Sequence, residues 1–431
     1  MKKGIALLLA ALVLLFTGTA AFAEGGSGLQ KGDTVYLGRW QDAPIRWTVL
    51  DPDATNAGGN GLFLLCEQAL TNQGVIYSWT KAVWQGSEGQ TWCSALLEQS
   101  FSAAEQAAVP AVSKSEEGLQ QYGLSWGPVE LENEKVFFLS VRELGDYIGP
   151  NDGDPGLSAT YVGNGKPTYY WLRTPHASHP DYAGLVLEGN EVHDYLVYGS
   201  WAGRPATNLG GEGLLYLAAA DRVIAPCEPG PMPASANGEW KATAADPALT
   251  LTVEDARYAD GQLSVQYAGA PAGAWISVLV RDAEGKNVSY GCLAKTEGGT
   301  GTVSFSPALP EGGCAYLFAE LDNGPMNTNA ASALCPLSWV EEPEPTPTPE
   351  AEPETAEEPE EGGGTIALAE PEESATPAAP AEGGGLISFL RETWMFAVPF
   401  ALLSAAAVIL AIAKAVDRHG RRDDDDDDRE E

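Results

Sequence analysis

Three of the chain's four histidines, His176, His179 and His193, fall in one short stretch that also carries Asp181 and Asp194. Imidazole nitrogens with a carboxylate oxygen in an open arrangement are a donor set that suits zinc. His176, His179, Asp181 and His193 are therefore the candidate metal ligands, with Asp194 beside them. The opposing reading is a plain exposed loop, because His176-Ala177-Ser178-His179 lies between Pro175 and Pro180 and not on a helix that would fix its geometry. A second oxygen-rich run, Asn151-Asp152-Gly153-Asp154-Pro155-Gly156, is a candidate for calcium. Calcium wants six to eight oxygens, and no bidentate glutamate follows at EF-hand spacing. Asx and Gly turns produce the same letters for local reasons.

Arg173 and Arg204 are candidates to clamp a ligand carboxylate, which a guanidinium matches bidentately. Alternatively each stacks on an aromatic such as Trp171 or Trp201 and pairs with an internal carboxylate. Trp79, Trp84 and Trp126 sit among Gly, Ser and Gln in loop-like text, where exposed rings stack on sugars or peptides. There is no G-x-S-x-G elbow, H-E-x-x-H pair or phosphate loop. No catalytic residue is assigned on these grounds, and no cofactor is expected.

The elements that must position these residues read as α+β. Thr34–Leu37, Ile45–Leu50, Leu62–Cys66 and Val136–Ser140 are strand-like, and Trp92–Leu97 and Phe101–Val109 have helical spacing. Ser102 and Glu105 stand at the capping-box offset, and Pro110 ends that helix. Val141–Ile148 reads as a further short helix and Gly149–Gly156 as a loop. After the crowded run Tyr169-Tyr170-Trp171-Leu172, the segments Gly184–Leu187 and Val192–Val197 meet across Gly189-Asn190, a two-residue hairpin signal. A Pro-rich joint follows at 225–237. Beyond it, short alternating strands recur at intervals of about 10–14 residues, the spacing of an immunoglobulin-like sandwich.

The motifs Trp171-Leu172-Arg173-Thr174-Pro175 and Gly203-Arg204-Pro205-Ala206 bracket that hairpin. With Gly32-Asp33-Thr34-Val35, Trp92-Cys93-Ser94 and Val136-Phe137-Phe138-Leu139-Ser140, they resemble an uncharacterised secreted domain family of Gram-positive bacteria. That family in turn resembles the C-type-lectin-like group, which includes the formylglycine-generating enzymes. The resemblance implies a C-type-lectin-like domain over residues 29–225, and it names a fold better than a function. Enzymes of that group work through a cysteine pair near the end of the fold, and residues 169–209 contain no cysteine. Their calcium-dependent sugar-binding triplets are also missing from the first domain, so neither activity carries over.

Lys+Arg 24 against Asp+Glu 60 gives a net charge of −36, which excludes the basic stripe that nucleic-acid binding needs. The 6 cysteines form no C-x-x-C pair. In an exported chain they permit disulfides, with Cys66–Cys93 and one pair among Cys292, Cys314 and Cys335 as the expectations. Residues 1–23 read as a secretory signal with a cleavage site at Ala21-Phe22-Ala23. After the sandwich at 238–340 comes a Glu/Pro-rich disordered stalk at 341–385. Trp394–Val416 is apolar enough for a transmembrane helix, followed by Arg418, Arg421 and Arg422 and an acidic tail at 417–431.

These expectations describe a single-pass cell-membrane protein with its N-terminal domains extracellular and its C-terminus cytoplasmic. Its first domain is expected to recognise an extracellular protein or glycan without catalysis. The alternatives are a metal-dependent extracellular enzyme using His176, His179 and His193, or a structural envelope protein.

Overall fold

The structure is a computed structural model and describes residues 28–54, 61–71 and 74–341. The expected signal at 1–23, nearly all of the stretch at 341–385, the apolar span at 394–416 and the tail at 417–431 lie outside these residues.

Strands Thr34–Trp40 and Ala43–Asp51 pair antiparallel across Gln41 and Asp42. Both turn residues take positive φ, 49° and 65°, as the twist-matched two-residue hairpin turn requires. The second strand pairs with Leu62–Cys66, which pairs with Pro205–Leu209, which pairs with Val136–Phe138. Every residue of Leu62–Cys66 and Pro205–Leu209 is buried; the first reads as an unbroken apolar run instead of an alternating one, whereas the second also buries the polar Thr207 and Asn208. Gly61 enters this sheet with φ 76°, and a Cβ there would stand 2.3 Å from the Leu209 carbonyl oxygen. Only glycine fits that approach.

Helix α1, Glu88–Ser100, is capped by Ser87, and α2, Ala103–Ala108, begins in the Ser102/Glu105 capping box. Helix α3, Val141–Tyr147, starts with a second such box, Ser140/Glu143. Trp92 of α1 lies 5.9 Å from the Phe138 ring, and Trp84 meets the same ring edge-on at 5.4 Å. Trp47, Trp171, Phe63 and Phe137 complete an aromatic centre that is closed to solvent.

The segment after residues 29–225, the head, is joined to it by hydrogen bonds. Strand Glu239–Ala245 runs parallel to Thr34–Tyr36 along its first half and parallel to Asn329–Ala331 along its second. Its other edge is covered by Leu214–Ala219. The head sheet thereby continues through Asn329–Ala331 into Cys314–Leu321, Trp275–Arg281 and Asn287–Lys295. A second sheet, Thr252–Ala259, Gln262–Ala270 and Gly299–Phe305, packs against this end of it. Leu263, Val265 and Phe305 from one sheet and Ile276, Val278 and Leu317 from the other fill the space between them.

The expected α+β C-type-lectin-like class is corrected by this architecture, because 48% of the described residues are strand and 10% helix. The second helix begins where its capping box places it, and the first, expected at Trp92–Leu97, runs longer, over Glu88–Ser100; the difference in class comes from text that reads as loop. Val112–Glu116 with Val129–Glu134, and Leu119–Gln121 with Leu124–Trp126, are antiparallel ribbons. They lack apolar runs because one face only is covered: Val112, Val129 and Leu131 point inward between exposed neighbours.

The membrane expectations are corrected as well. Among the described residues no helix is long and apolar enough to cross a membrane. Anchoring through one C-terminal helix, and the single-pass location with a cytoplasmic C-terminus built on it, therefore have no support in the structure. The span on which they rested, 394–416, lies outside the described residues.

Candidate functional site

Strands Tyr170–Pro175, Tyr182–Val186 and Val192–Leu196 form a separate three-stranded sheet carrying the histidines. The hairpin turns where the sequence puts it, with Asn190 and not Gly189 in the left-handed region at φ 62°. The loop 176–182 closes through His176 N–H donating to the Tyr182 carbonyl at 2.9 Å. One ligand atom each from His176, His179 and Asp194 lies within 4.8 Å of the others, so the structure gathers two of the candidate ligands with the neighbouring Asp194. Asp181 and His193 stand outside this trio, with His193 Nδ1 3.4 Å from Asp194 Oδ1. The imidazoles of His176 and His179 stack at 4.5 Å, and Trp126 meets His176 edge-on at 6.3 Å.

The hydrogen bonds show what His176 does here. Its Nδ1 accepts the backbone N–H groups of Ser178 at 3.1 Å and His179 at 3.2 Å. A neutral imidazole has one free lone pair, so this engagement assigns the hydrogen to Nε2. A metal at His176 would have to displace two backbone bonds or reverse the tautomer. The oxygen-rich run is likewise occupied: Asp154 Oδ2 accepts from Asn151 N–H at 2.9 Å, and Asp152 Oδ1 accepts from Val192 N–H at 2.7 Å. The second of these bonds docks the run onto the hairpin turn, where Gly153 N–H also donates to the Asn190 carbonyl.

Both candidate clamp arginines are buried and internally partnered. Arg173 donates to the Phe138 carbonyl at 2.8 Å and forms close ion pairs with Glu143 and Glu116. Lys114 Nζ reaches the other Glu143 oxygen at 2.9 Å. Burial alone would raise Glu143, but Arg173 and Lys114 outweigh it and hold the carboxyl well below its ordinary range. Glu116 is pushed up, chiefly by burial, with Arg173 opposing. A polar cleft lined by Lys114, Glu116, Arg142, Asp146 and Tyr147 opens beside this network. Arg204 donates to the Cys66 carbonyl at 3.0 Å and lies over the Tyr170 ring at 5.1 Å.

Among the candidate tryptophans, Trp84 and Trp126 are both only 2% exposed, and Trp126 Nε1 donates to the Gln121 carbonyl. Trp79 is open to solvent at 62%. Its neighbour Ser78 donates to the Val197 carbonyl, which ties this loop to the hairpin sheet.

A different aromatic surface was missed by reasoning from flanking residues. Tyr161, Asn164, Lys166, Tyr169, Glu188 and Trp201 line one cleft. The Tyr169 and Trp201 rings are 5.1 Å apart, and Tyr195 packs edge-on to Trp201 at 5.2 Å. The two-residue strands Ala159–Thr160 and Pro167–Thr168 pair and carry the 161–166 turn over the cleft. Ser200–Trp201, paired with Val75–Ile76, forms another part of the lining. The available signal was local: a Gly-Asn-Gly-Lys-Pro turn running straight into two tyrosines and a tryptophan.

A domain of unknown function, DUF6273, is found at residues 60–211. That span holds the histidine loop, both arginines and the aromatic cleft, and it begins after the first two strands. No curated protein and no solved structure matches the chain.

Proposed function

We propose that the domain at residues 60–211 is a recognition module that binds a glycan in the Tyr161/Tyr169/Trp201 cleft without turning it over. The observation that carries this reading is the pairing of half-buried ring faces with polar groups in one concavity. The C–H faces of a sugar pack on such rings, while Asn164, Lys166 and Glu188 offer donors and acceptors to its hydroxyls. Glu188 is the one carboxylate in that lining, whereas glycoside hydrolysis ordinarily takes two carboxyl groups facing each other. At about 240 Å³ the cavity falls below the roughly 300 Å³ at which pockets for larger ligands begin, which suits one sugar residue.

A glycan array with the purified protein, followed by titration of the best binder, tests the proposal. Tyr169→Ala and Trp201→Ala should each weaken binding by at least about tenfold, a loss of ~1.4 kcal/mol or more, with the thermal transition retained. Trp79→Ala should leave it unchanged. Binding that survives both cleft substitutions and disappears with Trp79→Ala would move the surface to the other end of the hairpin sheet.

A further inference from the structure

Strand Cys227–Pro231 lies antiparallel against Asn287–Lys295, with Cys227 directly opposite Cys292. We infer that Cys227 and Cys292 form a disulfide that fastens the connecting segment 221–238 to strand Asn287–Lys295 at the edge of the second region, residues 239–341. Residues directly opposed in an antiparallel ladder project to the same face, with Cβ atoms about 4.5–5.5 Å apart. A disulfide needs roughly 3.5–4.5 Å, a closure of about an ångström. The two strands are already pressed together at this point. Cys227 Sγ stands 3.4 Å from the Cys292 backbone nitrogen, and a Cβ on Gly291 would meet Pro229 N at 2.9 Å.

The ladder here also has reason to need a covalent tie. Pro226, Pro229 and Pro231 carry no N–H, and the register shifts between Cys227 and Gly230. An edge strand with so few donors frays easily. The cysteines are 65 positions apart, so a bond between them closes a loop that includes Glu239–Ala245, the strand that continues the head sheet.

Exposed Cys227 and buried Cys292 divide the chemistry between them. The Cys227 thiol gives its proton to water, and its thiolate attacks one sulfur of a disulfide supplied by a thiol–disulfide oxidant. A mixed disulfide forms and the oxidant's second sulfur leaves as a thiolate. The Cys292 thiol then loses its proton and attacks the Cys227 sulfur, releasing the first oxidant sulfur. Two protein thiols are oxidised and one disulfide is reduced to two thiols, with no other electron acceptor. Burial pushes the Cys292 thiol up to about 11, so Cys227 is the group that meets the oxidant first.

The test uses the full chain incubated with oxidised glutathione, then denatured, alkylated and mapped by mass spectrometry without reduction. The expected result is one linked peptide joining Cys227 to Cys292, with Cys66, Cys93, Cys314 and Cys335 alkylated. Reduction should lower Tm by on the order of 5–10 °C in the wild type and leave the Tm of Cys227→Ser unmoved. Cys227 is exposed, so this variant tests the tie without disturbing a core position. Alkylation of both Cys227 and Cys292 after oxidation, or a bridge from either to Cys314 or Cys335, would overturn the assignment. A Cys227–Cys292 link whose reduction leaves Tm unchanged would overturn its role as a fastening.

Discussion

Two buried glutamates solve the same problem in opposite ways. In the head, Glu143 is closed off at 6% exposure and lies between two cations, Arg173 and Lys114, while also capping α3. In the second region, Glu320 is wholly buried and is met by three hydroxyls: Ser277 and Tyr216 at 2.6 Å, and Tyr290. Burial raises both, and the partners decide the outcome. Cations reverse the rise at Glu143, whereas hydroxyl bonds offset it only in part at Glu320, which stays raised. The first carboxyl is kept ionised and the second is kept ready to take a proton. Their contributions to stability must therefore run in opposite directions with pH.

Arg173→Ala should produce the largest effect. It leaves Glu143 and Glu116 buried together without their shared cation, and breaking such a network from one side costs about 3–5 kcal/mol. Denaturant unfolding at pH 7 measures it, and a loss under ~1 kcal/mol would mean that Lys114 alone neutralises the pair. The next effect separates the two glutamates. The folded value of Glu143 lies below the unfolded carboxyl range near 4.5, so its stabilisation is complete above that range and is lost as pH falls through the folded value. Glu143→Gln should cost about 2–3 kcal/mol equally at pH 5 and pH 8.5, and less at pH 3. The folded value of Glu320 lies above 4.5, so its stabilisation is complete below that range and is lost as pH rises through the folded value. Glu320→Gln should cost about 1 kcal/mol at pH 5 and less at pH 8.5. Two parallel pH profiles would break the contrast.

The sequence revealed the local half of this arrangement. Ser102 and Glu105 at capping-box spacing become the start of α2, and Glu105 Oε1 also accepts Gly38 N–H and the Thr328 hydroxyl. That second duty was invisible, because Thr328 lies 223 positions away. The same distance problem hid the partners of Arg173, which a reading of Trp171-Leu172-Arg173 leaves open between an outside ligand and an inside carboxylate. Glu143 and Glu116 are 30 and 57 positions upstream. The tryptophans failed for another reason. Loop-like flanks suggested exposed rings at Trp84 and Trp126, yet Trp84 turns onto Phe138 from the bend before α1 and Trp126 turns inward from a short ribbon. Neighbouring aromatics Tyr169, Tyr170 and Trp171 differ in role because Tyr169 stands just before the strand Tyr170–Pro175, whose residues Tyr170 to Thr174 are all buried, so one position separates cleft from core. The join through Glu239–Ala245 was the least legible feature, since a parallel pairing with Thr34–Tyr36 leaves no turn signal in the text between.

The smallest effect tests whether the hydroxyl cage at Glu320 is as free of cations as the contrast requires. Arg222 stands one layer out, its guanidinium 4.4 Å over the Tyr290 ring and one of its nitrogens donating to the Tyr216 hydroxyl at 3.2 Å. From there it acts on Glu320 through the rings and lowers it weakly, after burial and the three hydroxyl bonds. Arg222→Gln removes a stacked cation, a loss of about 0.5–1 kcal/mol at any pH. It also raises Glu320 further, so the penalty for ionising that carboxyl increases. The decline in stability between pH 5 and pH 9 should become steeper in the variant, adding a few tenths of a kcal/mol by pH 9. Denaturation midpoints at intervals across that range resolve it. A parallel offset, lower by the same amount at every pH, would show that Arg222 packs on Tyr290 without acting on Glu320.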